Sequence, residues 1–184
     1  MINRTIYAQI ELSIKTKPVT LITGARQVGK STIALLFKEK GFNYVSLDSS
    51  RERELAKKDP EMFLSLHPWP LIIDEVQRAP ELFSAIEEIV NNEKINKVDN
   101  YGMYILTGSQ IYKLMNGVTE SLAGRVSIIH MMPLSRNEII SRKEPIFNFD
   151  IIEIQKRANE NPLKPIDLYD NIVKGFYPEL YNNK

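Results

Sequence analysis

The run Gly24-Ala25-Arg26-Gln27-Val28-Gly29-Lys30-Ser31 constrains this chain more than any other feature. It satisfies the spacing G-x-x-x-x-G-K-[ST] in full, between the β-rich run Val19-Thr20-Leu21-Ile22-Thr23 and a helix start at Lys30. A chain that wraps a phosphate with successive N–H groups needs glycine at the bends, and the helix that follows offers its positive end. Lys30 then reaches the β- and γ-phosphates as a point charge, and the Ser31 hydroxyl is placed to ligate Mg²⁺.

A second motif fits the first. Leu71-Ile72-Ile73 is an apolar strand that runs into Asp74-Glu75. In a doubly wound sheet such a pair emerges at the carboxyl edge, where the phosphate loop also lies. Asp74 is expected in the Mg²⁺ shell, and Glu75 is expected to orient or deprotonate an attacking water.

The rest of the chain alternates helix and strand signals. An amphipathic start covers roughly Thr5 to Lys15, and Ile33, Leu36 and Phe37 continue the helix from Lys30 until Gly41 supplies a left-handed stop. Asn43 to Asp48, Met103 to Thr107 and Val126 to Met131 read as further strands. Asp59-Pro60-Glu61 and Pro80-Glu81 open helices, the second with Leu82, Phe83, Ile86, Ile89 and Val90 on one stripe. Asn91 to Asn100 reads as a polar loop, short helical segments are expected from Ser109 and up to Gly124, and Ser135 with Glu138 makes a capping box.

Because each parallel crossover needs a helix-length connection, this alternation predicts an α/β fold of the P-loop NTPase type. The expected sheet has about five parallel strands with helices on both faces. Past Pro145 the pattern weakens into two polar helical stretches and a Tyr-rich end, which predicts a main domain over residues 1–145 and a small helical C-terminal extension or linker over 146–184.

Composition closes off several classes. With no cysteine, thiolate metal sites, thiol catalysis and disulfides are excluded. The 24 Lys and Arg residues against 23 Asp and Glu give a net charge of +1, which neither announces nor excludes a nucleic-acid partner. The start of the chain carries Arg4 and Glu11, so it lacks a secretory core, and no run approaches a membrane span; the expected compartment is the cytoplasm, and Asn3-Arg4-Thr5 carries no weight as a glycosylation acceptor. Asn96-Lys97-Val98-Asp99 spells a guanine-reading pattern but trails off a helix instead of an apolar strand, so it reads as a solvated loop. His67 and His130 read as loop or packing residues, and Tyr169, Phe176, Tyr177 and Tyr181 as core or interface.

Taken in order, Gly24-Ala25-Arg26-Gln27-Val28-Gly29-Lys30-Ser31-Thr32, Leu47-Asp48, Asp74-Glu75-Val76-Gln77-Arg78-Ala79-Pro80, Leu106-Thr107-Gly108-Ser109 and Ser121-Leu122-Ala123-Gly124-Arg125 resemble a family of bacterial and archaeal AAA-type ATPases. In that family the ATPase domain precedes a C-terminal domain of poorly defined function. The likeness spans about residues 1–145, and Gly175-Phe176-Tyr177-Pro178-Glu179 resembles the segment leading to the second domain, expected beyond Lys184.

The resemblance implies Mg²⁺-dependent hydrolysis of ATP, coupled to a second domain or protein partner. It also implies that the Thr107 strand lies between the phosphate-loop strand and the Asp74 strand. Thr107, or Ser109 and Gln110 beyond it, would then be a polar sensor of the γ-phosphate, with Ser109 as a mere helix cap the other reading. Arg125 stands where such proteins keep an arginine finger, supplied across a homo-oligomer interface; the alternative is an arginine answering a local carboxylate. Arg26 either contacts the γ-phosphate or points into solvent. Two rival functions remain: an ATP-gated interaction switch with negligible hydrolysis alone, and a small-molecule kinase for which no acceptor site is evident.

Overall fold

The computed structural model describes residues 2–96, 100–109, 118, 121–143, 149–160, 162 and 164–181. They fall into two compact units, one of Ile6–Met132 and one of Met1–Thr5 with Pro133–Lys184.

The larger unit is built on five parallel strands, β1 (Val19–Thr23), β2 (Asn43–Ser46), β3 (Leu71–Asp74), β4 (Tyr104–Gly108) and β5 (Val126–His130), in the order β2-β3-β4-β1-β5. The Thr107 strand therefore lies between the phosphate-loop strand and the Asp74 strand, as the resemblance implies. Central strands β1, β3 and β4 are buried throughout, whereas β5 is an edge strand. His130, read from the sequence as a loop or packing residue, is exposed at the end of this edge strand.

Side chains two apart share a face, and this alternation sorts the core into two layers. Leu21, Leu71, Ile73, Tyr104 and Leu106 pack with Ala56, Phe63, Leu82, Phe83 and Ile86. These helical residues belong to α3 (Ser50–Lys58), α4 (Pro60–Leu66) and α5 (Leu82–Ile95). On the opposite face Ile22, Ile72, Ile105 and Ile129 pack with Ile10, Ile33, Ala34 and Phe37. Those come from α1 (Tyr7–Ile14), α2 (Lys30–Leu35) and the 3₁₀ turn Leu36–Lys40 that prolongs α2. Each fully buried Leu, Ile or Phe contributes roughly 1.5–3 kcal/mol relative to exposure, so helices on both faces are what make a sheet of continuous apolar strands stable.

Several boundaries follow their sequence signals. Asp59 accepts from Met62 N at 2.9 Å with Pro60 at the first helical position, and Gly41 ends the 3₁₀ turn in the left-handed region. Two expectations need correction. Helix α3 was not expected, because it presents a single buried residue, Ala56, and so has no apolar stripe; its capping serine, Ser49, accepts from Glu52 N. The stretch from Asn91 is not a loop at its start, since α5 runs to Ile95 on the momentum of its buried Leu82, Phe83, Ile86 and Val90. The helical segments expected between Ser109 and Gly124 lie mostly outside the described residues, as do Lys97, Val98, Asp99 and Pro145.

The smaller unit contains α6 (Arg136–Ile139), α7 (Ile151–Glu160) and α8 (Pro165–Lys174). The expected capping box is present: Ser135 Oγ accepts from Glu138 N, and the Glu138 carboxylate accepts from Ser135 N. That carboxylate also accepts from Thr5 N at 2.7 Å and pairs with Arg4 at 3.1 Å. Burial pushes the Glu138 carboxyl up, but the backbone donors Ser135 and Thr5 and the Arg4 charge outweigh it and hold it below its ordinary value. Helix α8 buries none of its residues, and Tyr169 is exposed instead of forming core.

Candidate functional site

The phosphate loop sits at the carboxyl end of β1 and is shaped by backbone that few residues adopt. Gly24 has φ +148°, and a Cβ added there would lie 2.2 Å from Met131 O. That close approach to the strand end next door explains the glycine. Gln27 at φ 64° and Gly29 at φ 98° complete the turn into α2. Arg26 is exposed and Thr32 lies in the first turn of α2.

Lys30 is buried, and its ammonium donates to two carbonyls of its own loop, Gly24 O at 3.1 Å and Ala25 O at 2.6 Å. Burial lowers its pKa, Glu75 and Asp74 draw it back up, and Arg26 adds to the lowering; the net direction is down.

Asp74 closes β3 on the α2 side of the sheet, two residues beyond Ile72. Three hydroxyls converge on its carboxylate. Ser31 Oγ donates to Oδ1 at 2.7 Å, Thr107 Oγ1 donates to the same oxygen, and Tyr44 OH donates to Oδ2 at 3.2 Å. Register explains the meeting. Ile72 pairs with Tyr44 and Ile105, so Tyr44 on β2 and Thr107 on β4 share the face from which Asp74 projects, beneath Ser31 on α2. Burial first, and the Asp74 charge after it, push the Tyr44 hydroxyl up, which keeps it a donor at neutral pH.

Glu75 begins a new path. Its backbone lies at φ 59°, a left-handed conformation that non-glycine residues enter mainly where the surroundings hold them, and its N–H donates to Thr107 Oγ1 at 3.2 Å. Thr107 is fully buried and spends its hydroxyl twice, donating to Asp74 and accepting from Glu75. It binds the two acidic residues to the central strand.

The 3₁₀ turn Val76–Arg78 follows, and from it Gln77 Nε2 donates to Glu75 Oε2, with Ser109 Oγ at 3.5 Å from the same nitrogen. Gln77 Oε1 is buried without a partner among the described residues. An unpaired buried acceptor costs about 1–3 kcal/mol, and a hydrogen bond to a charged carboxylate returns about 1.5–3. The amide is therefore turned by Glu75, since the flipped orientation would set oxygen against oxygen. Tyr44 and Gln77 both escape a reading of the sequence; Gln77 lies two positions from Glu75, while Tyr44 reaches Asp74 only through strand pairing.

Arg125 is not brought to this cluster. It precedes β5 at the amino edge of the sheet, opposite the phosphate loop, where Nε donates to Asn91 Oδ1 at 2.8 Å and the guanidinium pairs with Glu87 at 3.3 Å. His67 pairs with Glu52 at 2.9 Å in a loop setting. Gln110 lies outside the described residues. A cavity of about 380 Å³ between α4 and α5, lined by Leu64, Trp69, Ile89 and Tyr104 among others, also lies toward the strand starts and away from the loop.

The donor set suits a hard divalent cation. Ser31 and Asp74 present only oxygen and already stand at hydrogen-bond distance, and no sulfur or imidazole intrudes. Among the described residues no group of three or more His, Cys, Asp or Glu forms an alternative metal site, and no helix is long and apolar enough to cross a membrane.

Comparison with known proteins agrees with this architecture. Among solved structures the chain is similar to AMPPCP-bound DnaA from Aquifex aeolicus, with a TM-score of 0.52 and 18% identity over 99% of this chain and 60% of that one. It is also similar to a Walker-type ATPase of Pyrococcus abyssi, with a TM-score of 0.51 and 16% identity over 86% of this chain and 63% of that one. At such identities the likeness concerns the fold. Uncharacterised proteins of Mycobacterium tuberculosis and Mycobacterium bovis are each 28% identical over 137 residues, 74% of this chain but only 30% of their own length. The profile of the AAA domain family matches residues 16–140, well over half the chain, and with the five-stranded parallel sheet and its phosphate loop in place, this chain belongs to the AAA domain family.

Proposed function

We propose that this chain binds ATP with Mg²⁺ and hydrolyses it to ADP and phosphate, using the turnover to change the conformation of a second domain or a protein partner. The observation that supports this most directly is the convergence of Ser31, Asp74 and Thr107 at the foot of the phosphate loop, with Glu75 next in the chain. The main domain in this reading is 1–145 and the extension 146–184, acting in the cytoplasm.

Residues Gly24 to Thr32 wrap the phosphates with backbone N–H groups. Lys30 exchanges its bonds to Gly24 O and Ala25 O for β- and γ-phosphate oxygens, so the polyanion replaces acceptors the loop already provides. Ser31 and Asp74 hold Mg²⁺, which when bound neutralises charge on the phosphate oxygens. Glu75 orients a water in line with the γ-phosphorus and takes its proton; the new P–O bond forms as the bond to the β–γ bridging oxygen breaks, and ADP leaves with the electron pair. Thr107 holds Asp74 and Glu75 in register and is a positioning residue in this scheme.

Glu75→Gln is expected to retain ATP binding by calorimetry while phosphate release falls at least about a hundredfold. Unchanged release would remove Glu75 from the mechanism. A second reading, an ATP-gated switch with negligible hydrolysis in isolation, is favoured by one observation: Arg125 is engaged with Glu87 and Asn91 at the edge away from its own loop. Arg125 would then act as an arginine finger only on the nucleotide of another copy. Release per chain that climbs with protein concentration supports the assembled enzyme, and flat near-zero release with ATP bound supports the switch.

A further inference from the structure

We propose that Gln77 is a positioning residue for Glu75, holding one carboxylate oxygen so that the other is presented to the attacking water. The inference rests on the hydrolytic reading above and adds to it a residue for which neither the phosphate loop nor the acidic pair accounts.

Four observations carry it. Gln77 Nε2 donates to Glu75 Oε2, and the second Glu75 oxygen has no partner among the described residues. The Glu75 backbone is already fixed by its left-handed conformation and by Thr107, which leaves the side-chain torsions as the freedom that remains to be removed. Gln77 is mounted on a short rigid turn: Arg78 N donates to Glu75 O, Ala79 N donates to Val76 O, and Val76 is fully buried between them. Finally, Gln77 Oε1 is buried without a partner among the described residues, so the amide orientation serves Glu75 at the expense of its own acceptor. The large majority of buried side-chain polar atoms have a hydrogen-bond partner, so a bare one calls for a reason. The 3.5 Å approach of Gln77 Nε2 to Ser109 Oγ further connects the base to the end of β4.

A carboxylate held by one oxygen cannot rotate freely, and a base that waits in the reactive geometry acts without first being reoriented. Loss of the amide should therefore lower the rate of the chemical step and leave ATP binding alone.

The test is a double-mutant cycle on the full chain with Mg²⁺ and ATP. Gln77→Ala is expected to lower kcat about ten- to a hundredfold with KM within about threefold, because orientation is lost and binding is not. Gln77→Glu, which keeps the volume and loses the donor, should lose as much. In the Glu75→Gln background Gln77→Ala should change the residual rate less than about twofold, since residues that act as a unit are non-additive. Equal losses in the two backgrounds, or a KM effect with kcat intact, would overturn the assignment.

A second readout needs no turnover. In ¹⁵N–¹H spectra the Gln77 side-chain amide, identified by its disappearance in Gln77→Ala, should show slowed solvent exchange that Glu75→Ala abolishes. Exchange unaffected by Glu75→Ala overturns the pairing. If wild-type chain binds ATP but releases no phosphate at any protein concentration, the hydrolytic reading falls, and this resonance still decides whether Gln77 holds Glu75.

Discussion

Replacing Thr107 with valine removes a hydroxyl and keeps the shape, which makes it a direct test of how the two acidic residues are tied to the sheet. The hydroxyl donates to the Asp74 carboxylate, a charge-assisted bond whose loss costs about 1.5–3 kcal/mol, and it accepts from Glu75 N, whose loss costs about 1 kcal/mol more at a part-buried site. Valine returns something under 1 kcal/mol through its extra buried methyl. The expected net loss is about 2–3 kcal/mol, which for a chain of this size lowers the melting temperature by about 4–12 °C. Thr107→Ser is the control, for it keeps both bonds and forfeits only a methyl, at about 1 kcal/mol. Urea denaturation followed by circular dichroism measures both, and phosphate release should fall in valine more than in serine. A valine variant within about 0.5 kcal/mol of wild type, or a serine variant as damaged as valine, would refute the idea that this hydroxyl joins the site together.

Gly24→Ala forces a Cβ to within 2.2 Å of Met131 O at φ +148°, so we expect a loss of at least about 3 kcal/mol in urea unfolding together with loss of ATP binding. Lys30→Met should lower ATP affinity at least about tenfold by calorimetry. Because burial already disfavours the Lys30 charge, the unliganded stability of that variant should stay within about 1 kcal/mol of wild type. Glu138 gives a pH signature: its folded pKa is held below its ordinary value of 4.5, so its contribution is present above that pH and is lost as pH falls through the depressed folded value. Denaturation curves from about pH 6 down to pH 3 should accordingly be flatter for Glu138→Gln than for wild type, and parallel curves would show that the carboxylate contributes nothing.

The parts legible in the sequence are those whose signal is local. Glycine spacing, a strand that ends in two acids, and the Ser135 capping box each declare themselves within a few residues, and the alternation of such signals is enough for the parallel sheet. Helix α3 escaped because its stability comes from a cap and one buried alanine, with no stripe to read. Tyr44 escaped for a different reason: a tyrosine in a strand is ordinary, and only the β2–β3 register turns it toward Asp74. Thr107 was singled out for its place beside the loop, yet its hydroxyl turns out to be committed on both sides. Arg125 has the right neighbours in sequence, but its partners Glu87 and Asn91 come from α5, three dozen residues upstream, and no spacing rule points to them.

The pairing of Ile72 with Ile105 and of Ile73 with Leu106 carries a consequence for how this protein can vary. Connections at the amino edge can lengthen or shorten without reaching the Asp74–Glu75 corner, but a slide of β4 by a single position would put Leu106 in the place of Thr107 beside the acids. An oily branch would then press against Asp74 and strand three polar groups at once. The lattice of the sheet thus acts as a ruler that admits no half steps.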